Sequence, residues 1–134
     1  MTLEDHVRGG DVATTYDTTY EGWYDTLLED AGIAVLAKAV LGRYDGDVLM
    51  VVRAGNGFYG YTRTGYGSCA GCDALQACET MEELKELQRQ EIERITWYLT
   101  LEAVKQFVCE HDWEGDWANE EEVVAQFRAD VAAL

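Results

Sequence analysis

The chain is 134 residues long and carries 26 Asp and Glu against 10 Lys and Arg, a formal charge of −16, with no proline, 13 glycines and four cysteines. Affinity for phosphates comes from Lys and Arg displacing condensed counterions, so this balance argues against direct nucleic-acid binding, and it disfavours anionic lipid as well. At 48% apolar composition, with four Trp and eight Tyr, the chain is not a disordered one. Its length fits a single domain over residues 1–134, in which 1–15 form a loose N-terminal segment without periodicity.

The start, Met1 to His6, lacks a basic region followed by an apolar one, and no apolar run approaches the ~20 residues needed to cross a bilayer. The expectation is a cytoplasmic protein with no membrane contact, in which thiols stay reduced. Four cysteines are too few for a disulfide scaffold and are read as free thiols or metal ligands.

From Tyr16 to Asp30, Tyr16, Tyr20, Trp23, Tyr24, Leu27 and Leu28 recur at helical spacing, with Thr18 and Glu21 as a capping box. Tyr16, Thr18 and Tyr20 also alternate as a strand would, and Gly32 ends the segment on either account. Residues 33–44 are ambiguous by composition, but Asp45-Gly46 suits a two-residue type I′ turn leading into Asp47 to Val52. Gly55-Asn56-Gly57 marks a second hairpin, so three antiparallel strands are expected at about 33–44, 47–54 and 58–64. Arg53 and Arg63 are the charged strand residues suited to guarding an edge.

Ser68 is positioned to cap a short helix through Cys78, and Thr80 with Glu83 forms a capping box that opens a long helix from Met81 towards Val108. Its apolar positions are Leu84, Leu87, Ile92, Ile95, Tyr98, Leu99, Val104, Phe107 and Val108, with none between Gln88 and Glu91, where the helix bends or is covered differently. A loop from Glu110 to Trp117 precedes a third capping box, Asn119 with Glu122, and a final helix through Leu134 that buries Val123, Val124, Phe127 and Val131. The fold class is α+β: a three-stranded antiparallel meander, one face of which packs against the long helix and the C-terminal helix.

Three chemistries compete for the cysteines. Cys69-x-x-Cys72 has the gap typical of half a zinc site, and Cys109 with His111 stands at the end of the long helix, where it can fold back; Cys78 is then a surplus ligand, and Cys109-x-His111 is tighter than the common pairs. The plain alternative is small buried thiols packed between sheet and helix. Cys-x-x-Cys at a helix start also suits thiol redox, since the helix dipole stabilises thiolates, but the chain has no proline to supply the cis-proline of a thioredoxin-like site. Gly65, Gly67 and Gly71 lack the lysine of a phosphate-binding loop and fit a crowded turn better.

Tyr66-Gly67-Ser68-Cys69-Ala70-Gly71-Cys72-Asp73, entered from a strand and followed by a helix and an acidic tail bearing Trp113 and Trp117, resembles the Y-G-S-C-[S/A]-G-C-D string of a family of small uncharacterised proteins of bacteriophages and bacterial mobile elements. The resemblance spans roughly residues 45 to 130 in motif order. It implies a phage or prophage origin and a role in the host-cell cytoplasm, and it carries no catalytic residue across.

Glu110, Asp112, Glu114, Asp116, Glu120, Glu121 and Glu122 place seven carboxylates in thirteen residues without a Lys or Arg, and Trp113 and Trp117 lie inside the run. Either the indoles anchor a solvated loop, or the run is a recognition surface for a basic patch on another protein. It is no calcium loop, because Trp117 occupies the glycine position of an EF-hand and Val123 the final bidentate one. His6 lies in the loose N-terminal segment, and His111 has Asp112 beside it but no Ser or Cys partner that the sequence places for a nucleophilic site. The leading expectation is a non-enzymatic, acidic binding or inhibitory module that engages a basic host or phage protein, in its strong form by mimicking nucleic acid. A zinc-stabilised interaction domain is the alternative, and acidity with only three lysines also fits an accessory protein adapted to high salt.

Overall fold

The first described helix, α1 (Tyr20–Glu29), turns Tyr24, Leu27 and Leu28 into the interior, the face its three-and-four spacing predicts. The structure is a computed structural model and describes residues 20–42, 46–66, 78–111 and 120–134. A glycine terminates α1 as expected: Gly32 has φ +83° and its N–H donates to the Glu29 carbonyl at 2.9 Å, while the Ile33 N–H donates to Leu28 at 3.0 Å. These are the two bonds of a Schellman cap, and Leu28 and Ile33 share one apolar cluster, as that motif favours.

Three strands follow as a meander, β1 (Ala34–Gly42), β2 (Gly46–Arg53) and β3 (Tyr59–Tyr66). Gly46 is not part of a two-residue turn, since it already pairs with Gly42 as the first rung of the β1–β2 ladder. Only glycine fits there: a Cβ on Gly46 would fall 1.7 Å from the Leu41 carbonyl oxygen. An irregularity between Val35 and Ala37 leaves Leu36 as the extra residue of a bulge in β1.

The single long helix expected over Met81 to Val108 is instead α2 (Met81–Arg94), a short strand β4 (Thr96–Tyr98) and α3 (Leu101–Glu110). Thr96, Trp97 and Tyr98 are strand-forming residues, and pairing them with Tyr61, Gly60 and Tyr59 satisfies backbone groups of β3 and completes a sheet of order β1-β2-β3-β4. Thr100 restarts the helix by accepting the Ala103 N–H at 3.2 Å. The capping box of α2 forms with a small shift: Thr80 accepts from the Glu83 N–H, and the Glu83 carboxylate reaches the N–H of Glu79. The polar stretch Gln88 to Glu91 is covered, Gln88 donating to the Leu27 carbonyl at 2.9 Å and Glu91 lying buried within 3.5 Å of Arg94. The last helix is α4 (Glu120–Ala132). Asn119, Thr18 and Ser68, the other expected caps, lie outside the described residues.

Because the chain crosses the sheet at β4, helices cover both faces and not the one expected. Tyr24, Leu27 and Leu28 of α1 and Leu84 and Leu87 of α2 meet Val48, Met50 and Val52 on one side. Val104 and Val108 of α3 and Val124, Phe127 and Val131 of α4 meet Leu49 and Val51 on the other. Val48 to Val52 are thus fully buried, each contributing about 1.5–3 kcal/mol of burial free energy to the centre of the molecule. Among the described residues no helix is long and apolar enough to cross a membrane.

Candidate functional site

Cys69 and Cys72, the core of the cysteine string, lie outside the described residues, as do Asp112, Trp113, Glu114, Asp116 and Trp117 of the acidic run. The remaining members are separated by the sheet. Cys78 is buried just before α2, in the cluster formed with α1. Cys109 is exposed on α3, which packs on the opposite face. Two zinc-bound thiolates stand within about 4 Å of each other, whereas helix, sheet and helix layers are each about 10 Å apart. That layering sets Cys78 apart from Cys109 and His111. No group of three or more His, Cys, Asp or Glu side chains is placed to hold a metal ion among the described residues.

His111 caps the C-terminus of α3, its N–H donating to the Phe107 carbonyl at 2.9 Å, and its ring lies 4.8 Å from that of Phe107. Phe107 also packs against Tyr61 and Tyr98. Burial pushes the Tyr61 phenol well above its ordinary value, so it is held neutral as a packing group and is unsuited to act as a base near neutral pH. Arg128 of α4 donates to the His111 carbonyl at 2.8 Å, which ties the end of α3 to its neighbour.

The described carboxylates of the acidic run do not all face solvent. Glu110, Glu121 and Glu122 are exposed. Glu120 turns inward, 7% exposed, with its Oε1 3.8 Å from the Arg63 guanidinium and without a hydrogen-bond partner. Arg63 in turn donates through Nε and a terminal nitrogen to Oδ2 of Asp47, at 3.0 and 2.7 Å. Arg63 lies beyond the rungs that β4 pairs, Tyr59 to Tyr61, and its ion pairs with Asp47 and Glu120 anchor the start of α4 to the sheet. The signal for this was present: Arg63 follows Tyr59 and Tyr61 at the period of two, which places it on the α3/α4 side, and Asp47 stands diagonally across the ladder.

A second acidic surface is the outer face of α2, where Glu82, Glu83, Glu86 and Glu93 are exposed. Arg89 is held between Glu86 and Glu93 on the same helix, and the bond it donates keeps the Glu86 carboxyl down at about 2, with Gln90 adding a second donor. A depression of about 400 Å³ beside Cys78 is lined by Glu82, Glu83, Glu86, Leu87 and Gln90. Two more cations are held by carboxylates of the same chain, Lys38 by Asp25 at 3.0 Å and Arg94 by Glu91.

Comparison of the chain with protein-family models, with curated proteins and with solved structures finds no match in any of the three.

Proposed function

We propose that the protein is a binding module whose acidic surface engages a basic surface on another protein, in the setting of a phage or mobile element within its host cell. The supporting observation is the distribution of charge. Helices α2, α3 and α4 carry exposed carboxylates, while Lys38, Arg63, Arg89 and Arg94 are each engaged by carboxylates of the chain itself. Among the described residues, exposed carboxylates thus remain on these helices beyond those that engage the cations. Such a surface steers a positively charged partner and fixes its register, with a strong dependence on ionic strength. In its strong form the carboxylates stand in for phosphates and occupy a nucleic-acid-binding groove. Affinity capture from a bacterial lysate at low and at high salt tests this: a basic protein retained at low salt and released at high salt is expected, and capture indifferent to salt, or of no basic protein, contradicts it.

A further inference from the structure

The depression of about 400 Å³ on α2 combines two chemistries. Glu82, Glu86 and Gln90 follow one another at a spacing of four, with Glu83 and Leu87 in the row beside them, so one continuous helical face meets Cys78 to line it. Its base is apolar, since Cys78 and Leu87 are only 7% and 6% exposed. Around that base Glu82, Glu83, Glu86 and Gln90 are exposed, and no Lys or Arg is among the lining residues.

The carboxylates at the mouth are unequally compensated. Glu86 accepts from Arg89 and Gln90, and Glu83 accepts through Oε2 from the Glu79 N–H at 3.3 Å. Glu82 meets no donor among the described residues. Like charges three and four residues apart oppose each other along a helix, so Glu82, Glu83 and Glu86 favour a cation at this mouth. A bare cation would leave the apolar base wet, and an apolar side chain would strip water from carboxylates without replacing it. A positive head on an aliphatic stem, as in lysine and arginine, matches both the base and the rim.

We propose that this depression receives a Lys or Arg side chain of the basic partner, the stem lying on Cys78 and Leu87 and the head meeting Glu82 and Glu86. The inference rests on the reading of the acidic surface as a site for a basic protein, and it gives that surface one defined point of attachment. The test is a chemical-shift titration of the full chain with n-butylguanidinium, which carries stem and charge, with guanidinium, which lacks the stem, and with n-butylurea, which lacks the charge. n-Butylguanidinium is expected to move the Leu87 methyl and Gln90 side-chain amide signals to saturation, and to bind several-fold more tightly than either control. In Glu82→Gln, an exposed position whose unchanged melting verifies the fold, its affinity is expected to fall several-fold. No movement, equal binding of guanidinium or n-butylurea, equal movement of the Glu121 and Glu122 amides, or wild-type affinity in Glu82→Gln overturns the proposal. The titration needs no partner protein, so a salt-sensitive capture of a basic protein alongside a silent titration overturns this inference alone and leaves the acidic-surface reading standing.

Discussion

Arg63 shows how one side chain decides what its neighbours can do. It shares its charge between Asp47 and the buried Glu120, so removing it strands a carboxylate in the interior. Breaking a fully buried pair from one side costs about 3–5 kcal/mol, and at 30% exposure of Arg63 the expected loss for Arg63→Ala is lower, roughly 1–3 kcal/mol. Glu120→Gln, which removes the charge that needs compensating, is expected to cost less. Urea unfolding of both variants and the double variant checks this; additive losses would contradict the coupling. On the exposed face of α2, Glu86 is held at about 2 against an ordinary 4.5. A lowered folded value means that the favourable contribution is present above about 4.5 and is lost as pH falls through about 2. NMR titration of Glu86 is expected to show this depressed midpoint, to return towards 4.5 in Arg89→Gln, and to do so with little change in melting at pH 7, because an exposed pair is screened by water.

At the level of elements, β4 organises the C-terminal half. Gly60 lies opposite it, and a Cβ there would come 2.5 Å from Ile95 Cγ2 and 3.0 Å from Trp97 Cε3. Gly60→Ala is therefore expected to push β4 off β3 and to destabilise the fold by about 1–3 kcal/mol, with hydrogen exchange accelerated at residues 59–61 and 96–98 ahead of the rest of the sheet. Unaltered exchange at these rungs would contradict this role for β4. The strand is also where local pattern misleads. Leu84, Leu87, Val104 and Val108 fit one helical stripe, yet the first two face α1 and the last two face α4, and only the pairing needs of β3, a tertiary matter, separate them. The meander itself was legible, because Gly55-Asn56-Gly57 and the runs beside it act locally, and so was the Gly32 stop. The second covered face is written in the unbroken apolar run Val48 to Val52, since a strand with one wet face alternates. Of the candidate site, exposure of Glu110, Glu121 and Glu122 follows from composition, whereas the inward turn of Glu120 depends on the register that brings Arg63 beneath it.

For the whole molecule, the described exposed carboxylates gather on α2 and on α3 with α4. A surface adapted only to a saline interior would require salt for folding. The binding account predicts that the native circular-dichroism spectrum persists when ionic strength falls from about 1 M to about 0.01 M, where the screening length grows from ~3 to ~30 Å, and unfolding on withdrawal of salt would assign the acidity to habitat. The most direct measurement is capture of a basic partner by the wild-type chain and by Glu110→Gln/Glu121→Gln/Glu122→Gln, three exposed carboxylates at the junction of α3 and α4. The account predicts that the triple variant melts like the wild type and loses most of the capture at low salt. Capture equal to wild type by a correctly folded triple variant would contradict it.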